Sequence, residues 1–270
     1  MTVHIEKNGP VWTVIHNRPE ARNAMDPESA DALTEAFLEF DADGEARVAV
    51  LYGEGGAFCA GWDLKYVSTL HRDYPMGELD IPPAVPRGNG GEIPRGPLGP
   101  TRLELDKPVI AAVAGPAVAG GMELALWCDF RVLQEDAYFG VYCRRWGVPL
   151  IDGGTVRLPR IVGQGRALEI ILTGRKVPAD ECLRIGLCEY VVPDGEVRAK
   201  AEALACDIAR FPPVCVRVDR RSTIKSHGLP TRDALIQEWY NGREALQKDG
   251  TSGAARFKDG LGRHGDFNEI

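Results

Sequence analysis

Pro108-Val109-Ile110-Ala111-Ala112-Val113-Ala114-Gly115 and, three residues later, Ala119-Gly120-Gly121-Met122-Glu123-Leu124-Ala125 constrain this chain more than any other stretch. The first run is apolar without alternation, which predicts a strand buried on both faces. Ala114-Gly115-Pro116 breaks it, and Gly120-Gly121 precedes a predicted helix, Met122–Cys128. A second strand, Val48–Tyr52, runs into Gly53-Glu54-Gly55-Gly56, and Phe58-Cys59-Ala60-Gly61-Trp62-Asp63-Leu64-Lys65 follows. Strand, glycine turn and helix in this order indicate an α/β domain. Glycines let a backbone approach a ligand and present free N–H groups. A helix beginning near Gly121 adds unpaired amides and the positive end of a dipole. Two amides from separate segments can grip one developing oxyanion. Taken singly, Glu123 is explained by the helix dipole, and Asp63 and Lys65 by solvation.

The rest of the chain is read around these two segments. Val3–Glu6 and Val11–His16 flank Asn8-Gly9 and predict a hairpin. Asp26-Pro27-Glu28 opens a helix, with Asp26 as cap and Leu33, Phe37 and Phe40 on its buried face. Ser68–Pro100 is rich in proline and glycine and reads as a long surface loop with one short helix. Asp129–Leu133 is a further strand; Arg166–Thr173 and Ala179–Ile185 are helices, the second stopped at Gly186. Ala201, Leu204, Ala205 and Ile208 share one helical face, and Asp233–Leu246 forms another helix. We divide the chain into an α/β core, 1–200, carrying the insert near 68–100, and a helical region, 201–270.

Composition excludes several classes. A net charge of −7 over 270 residues repels phosphate backbones, so no nucleic-acid partner is expected. No apolar run reaches the roughly 18 residues of a membrane helix, and Met1–Pro10 lacks a signal-peptide order. The seven cysteines are odd in number and form no CxxC; the five histidines form no HExxH. We expect free thiols, no metal and a cytoplasmic protein. Gly163-Gln164-Gly165-Arg166 lacks the third glycine of a dinucleotide fingerprint and follows no strand.

Phe58–Lys65 resembles the FxAGxDLK signature of the enoyl-CoA hydratase/isomerase, or crotonase, superfamily. Lys107–Leu126, followed by Cys128-Asp129, resembles its KPVIAAVNGxxxGGGxELAL…CD block. Asn17–Met25, Gly153-Gly154-Thr155 with Arg157–Arg160, Leu172–Arg175 and Ala179…Gly186-Leu187 match in order, so the resemblance spans nearly the whole chain. It implies an α/β crotonase (ClpP-like) spiral of ββα units with a C-terminal helical trimerisation region. It also implies a homotrimer, or a hexamer made as a dimer of trimers. The substrate implied is an acyl-coenzyme A thioester. Coenzyme A enters as part of that substrate, and no cofactor is bound permanently. Residue by residue, the resemblance gives the oxyanion hole to the amides of Trp62 and Gly120. Ala24, Ala60 and Lys65 fall at positions lining the coenzyme A site, with Asp63 beside them. Phe257 and Lys258 lie where a C-terminal helix meets coenzyme A bound to a neighbour.

Hydratases of this family use two glutamates. The first is Glu123; the ungapped alignment places Cys143 at the second. Asp152 is the nearest substitute, one residue beyond the position where dienoyl isomerases and dehalogenases of the family carry a working aspartate. Either Asp152 reaches the site by a one-residue shift, or it caps the following helix. Adding water across an enoyl thioester, or removing it, is the leading expectation, with Glu123 and Asp152 as proton carriers. Isomerisation or thioester hydrolysis by the same pair is the alternative, and coenzyme A binding with little turnover is the non-enzymatic one. Ala114 and Ala119 replace an asparagine and a glycine of the family pattern, which reshapes the acyl pocket without removing either amide.

Overall fold

The expected hairpin forms, with Gly9-Pro10 rather than Asn8-Gly9 as its turn: β1 (Val3–Asn8) runs antiparallel to β2 (Val11–His16), and Asn8 pairs with Val11. The computed structural model describes residues 1–70, 79 and 95–265. Asp26 caps α1 (Pro27–Ala42) by accepting the Ser29 N–H, and Leu33, Phe37 and Phe40 are fully buried. β3 (Val48–Gly53) pairs in parallel with β2. A single turn, α2 (Leu64–Val67), then precedes the insert. Most of Ser68–Pro100, with its expected short helix, lies outside the described residues. Its last part is no surface loop: Gly96 to Pro100 are buried.

β4 (Val109–Val113) is the central strand, β5 (Pro116–Val118) leaves it after Gly115, and α3 (Gly120–Trp127) follows at once. β6 (Phe130–Gln134), β7 (Tyr138–Gly140), α4 (Gly154–Val162), α5 (Gln164–Thr173), β8 (Lys176–Pro178), α6 (Ala179–Arg184), β9 (Tyr190–Val192) and α7 (Val197–Ala209) complete the core. One sheet has the order β1-β2-β3-β4-β6-β9, all parallel but for the hairpin; the other is β5-β7-β8. Period two sorts the central strands between two cores. Ala49, Leu51, Ala111 and Val113 face α1 and α3, while Val48, Val50, Ile110 and Ala112 face α7. Ala201, Ala205 and Ala209 line that face of α7, small enough for the helix to lie close on the sheet.

α8 (Pro213–Lys225), α9 (Thr231–Ala245), a π-helical turn and α10 (Thr251–Lys258) form the C-terminal helical region. α8 escapes the sequence because Val214, Val216 and Val218 alternate as in a strand. The extent of α4 is hidden by Pro159 in its interior. β5, β7, β8 and β9 have three residues each, too few to show a period.

Candidate active site

The two glycine turns meet. Cys59 and Ala117 form a parallel bridge, which lays the 58–61 segment along β5. Gly61 has φ +89°, and a Cβ on it would stand 3.1 Å from Gly120 N and 2.9 Å from Ala119 Cβ. Gly121 is pressed closer still; a Cβ there would lie 2.0 Å from the Cys59 carbonyl oxygen. Only glycine permits this contact.

Met25 N–H donates to Gly61 O at 2.8 Å and Asp63 N–H to Met25 O at 2.8 Å. The amide between them, that of Trp62, has no acceptor among the described residues. Gly120 is the first residue of α3, and its amide is likewise unpaired among them. Both residues line a cavity of about 70 Å³ whose wall also includes Ala60, Ala119, Glu123, Cys143 and Asp152. Ala119, before the Gly120 amide, has φ +54° and ψ −125°, a region that L-residues avoid.

Glu123 is 2% exposed. Its Oε1 accepts the Gly154 N–H at 2.7 Å and the Asp152 N–H at 3.0 Å, and Oε2 takes no hydrogen bond among the described residues. Burial first, then the charge of Asp152, push its pKa up to about 8. Asp152 is also 2% exposed, and burial raises its pKa against the pull of the Thr101 hydroxyl and the Leu98 amide. Oδ1 accepts both donors, from Thr101 Oγ1 at 2.5 Å and Leu98 N at 3.2 Å. Oδ2 is buried without a partner among the described residues. Asp152 does not cap α4; Gly153 is the N-cap residue and supplies no side chain.

Cys143 lines the cavity from the 3₁₀ turn Tyr142–Trp146, and burial and the nearby Glu123 charge raise its thiol pKa. The flanking arginines face elsewhere. Arg144 Nε donates to Ile171 O, and the Arg145 guanidinium stacks 4.0 Å above Tyr142.

The structure thus brings Trp62, Gly120, Glu123, Asp152, Cys143 and Ala60 together. Ala24, Asp63 and Lys65 are close in sequence to the cavity wall but are not part of it. Asp63 is not a solvated charge. It is 9% exposed, pairs with Arg18 Nη2 at 2.9 Å and caps α2 through the Lys65 N–H at 2.9 Å. Ala24 O accepts Arg18 Nη1 at 2.8 Å, so Arg18 ties these two segments together, while Lys65 is exposed. Phe257 and Lys258 lie at the end of α10, outside the cavity wall of their own chain. Sequence reasoning missed Leu98, Thr101 and Arg157. Leu98 and Thr101 lie at and just past the end of a proline-glycine stretch, with no pattern to announce burial. Arg157 was visible only as part of a motif.

The model of the family "Enoyl-CoA hydratase/isomerase" matches residues 6–77 and 101–258. An enoyl-CoA hydratase of Mycobacterium tuberculosis, EchA19, is 35% identical over 263 residues, covering 94% of this chain and 92% of its own. A carnitinyl-CoA dehydratase of Salmonella enteritidis is 38% identical over 241 residues, covering 88% and 84%. Among solved structures, an enoyl-CoA hydratase of M. tuberculosis superposes with a TM-score of 0.85 at 31% identity, and EchA1 of Mycobacterium marinum with 0.84 at 32%, each covering 96% of both chains. The expected crotonase fold is therefore the fold observed, and the chain belongs to the enoyl-CoA hydratase/isomerase family.

Proposed function

We propose that the protein adds water to, or removes it from, an acyl-coenzyme A thioester, with Glu123 and Asp152 as the two proton carriers. The observation that carries this is the convergence of two buried carboxyl groups and two unpaired amides on one cavity. The Trp62 and Gly120 amides stabilise negative charge on the thioester oxygen, which makes the β-carbon electrophilic and the α-carbon basic once the enolate forms. Glu123 and Asp152 divide the proton work by their surroundings. Glu123 accepts two amides on Oε1 and is held protonated near neutral pH, so its other oxygen donates to the α-carbon. Asp152 has its donors on Oδ1, so Oδ2 is free to take a proton from water. The water oxygen bonds to the β-carbon as its proton passes to Asp152 and the Glu123 proton passes to the α-carbon. Elimination reverses both transfers.

Cys143 stands where the family places its second glutamate and offers a protonated thiol, which favours Asp152 for the second role. Ala24, Ala60, Asp63 and Lys65 are proposed to form or brace the coenzyme A channel, Asp63 acting through Arg18. Phe257 and Lys258 are proposed to reach coenzyme A on a neighbouring subunit. The C-terminal helical region exposes Leu235, Ile236, Trp239, Tyr240, Leu246 and Phe257, which supports a trimer or hexamer. No helix among the described residues is long and apolar enough to cross a membrane, and no cluster of metal-ligating side chains is found among them. All seven cysteines are free, which fits a reducing cytoplasm. A panel of acyl-coenzyme A thioesters, followed for enoyl absorbance and for free thiol, tests the reading. Reversible loss of enoyl absorbance is expected; thiol release without it points to hydrolysis, and neither signal points to binding alone.

A further inference from the structure

The Asp152 carboxyl is enclosed by the end of the insert. A Cβ on Gly96 would stand 2.2 Å from Asp152 Oδ1 and 2.3 Å from Thr101 Oγ1. Thr101 is 1% exposed, and its hydroxyl donates to Oδ1 at 2.5 Å. Arg157 closes the arrangement from α4. Its Nη2 donates to Thr101 O at 2.7 Å and its Nη1 to Asp152 O at 2.9 Å. One guanidinium therefore ties the two backbones together, while the hydroxyl ties the two side chains. Leu98, in the same turn, lies against Gly120, where an added Cβ would come within 2.4 Å of Leu98 Cδ2.

We propose that Thr101 is the positioning residue for Asp152: its hydroxyl, held in place by the Arg157 clamp, turns the carboxyl so that Oδ2 faces the cavity, and makes the end of the insert part of the catalytic centre. This rests on the role of Asp152 as the second proton carrier. The hydroxyl acts on Asp152 by a charge-assisted hydrogen bond, which favours the ionised carboxyl. The charged and titratable groups facing Asp152 are Glu123 from α3, Arg157 from α4, Arg102 from the 3₁₀ turn Pro100–Arg102 and Cys59 from the segment before Gly61. Replacing Thr101 alters none of them, so a change in pH dependence reports on the hydroxyl.

The test compares wild type, Thr101→Val, Thr101→Ser, Gly96→Ala and Asp152→Asn on trans-2-butenoyl-coenzyme A, or on the panel thioester that wild type turns over fastest. Each is measured from pH 5 to 9 with thermal melting as a fold check. Thr101→Val is expected to lower kcat roughly 10- to 100-fold with KM within about three-fold, and to move the acidic limb up by about one pH unit. Thr101→Ser keeps kcat within about three-fold of wild type because it keeps the donor. Gly96→Ala crowds both the Asp152 carboxyl and the Thr101 hydroxyl by bulk, so it breaks the same contact and copies the kcat loss without changing Thr101 itself; it decides the matter if Thr101→Val does not fold. Folded Thr101→Val with an unmoved limb, or Gly96→Ala with full kcat, overturns the proposal while an inactive Asp152→Asn leaves the role of Asp152 standing. A fully active Asp152→Asn removes both.

Discussion

Glu123 Oε1 accepts the backbone N–H of Asp152 at 3.0 Å, while the Asp152 side chain turns away to Thr101. The two carboxyl groups are joined through the backbone of one and are not hydrogen-bonded to each other. Each takes its hydrogen bonds on one oxygen and none on the other among the described residues. A pair of carboxyls built this way can hold different protonation states at the same pH.

Glu123→Gln should be inactive and more stable than wild type. The pKa of Glu123 is raised to about 8 in the fold from 4.5, so the native state holds a proton that the unfolded chain releases. Stability from this group is complete below pH 4.5 and is lost as pH rises towards 8. Glutamine keeps an acceptor for the two amides and does not titrate, so at pH 8 it should gain on the order of 3 kcal/mol. Urea unfolding at pH 5 and pH 8 checks this. An equal difference between the two proteins at both pH values would refute it.

Asp152→Asn is expected to lower turnover by roughly 100-fold or more, and Cys143→Ala to change it less than about ten-fold. Both need a circular dichroism spectrum like that of wild type. If the cysteine variant is dead and the asparagine variant is not, the thiol is the working group and Asp152 is not the second proton carrier.

Much of this site could be read in the sequence, because its strongest signals are backbone ones. Gly61, Gly120 and Gly121 stand where no Cβ fits, and such positions leave a mark on composition. Glu123 and Asp152 were separable from their neighbours only by a motif and by counting. That Asp152 belongs to the cavity and not to a helix cap depends on Thr101, Leu98 and Arg157. These reach it across 51, 54 and 5 residues of chain, and no local period encodes such contacts. The same holds for the fold. The central strands were visible by their apolar runs, whereas the second sheet is built of three-residue strands that exist only by pairing.

Ala119→Val should cost about 2–3 kcal/mol, whereas Ala119→Gly should stay within about 1 kcal/mol of wild type. The backbone there is at φ +54° and ψ −125°, and a β-branched side chain cannot occupy it without strain. Because this residue precedes the Gly120 amide, the valine variant should also lose turnover. Denaturant unfolding measures the first effect, and an unchanged midpoint would show that the turn relaxes freely.

The oligomer is checked by light scattering. The exposed Trp239 and Tyr240 of α9 and Phe257 of α10 should hold three or six chains together at micromolar concentration, and Trp239→Glu with Tyr240→Glu should dissociate them. A monomeric wild type would sink the trimer and the hexamer alike.

Acid stability should depend on His16. It is 1% exposed at the end of β2, and both ring nitrogens are buried without a partner among the described residues. Burial lowers its pKa from 6.5 to about 4; the nearby Asp26 opposes that and Arg18 adds to it. The unfolded chain therefore binds a proton that the native chain refuses. The neutral imidazole leaves stability intact above pH 6.5, and stability is lost as pH falls from 6.5 to about 4. The total contribution over that window is about 3 kcal/mol, at a slope of at most about 1.4 kcal/mol per pH unit. His16→Gln removes the titration while keeping a polar side chain of similar reach. Its unfolding free energy, measured in urea at intervals from pH 7 to pH 4, should fall less steeply than that of wild type. Parallel curves would mean that His16 finds a partner for its proton within the fold, and that acid unfolding is driven by the carboxylates alone.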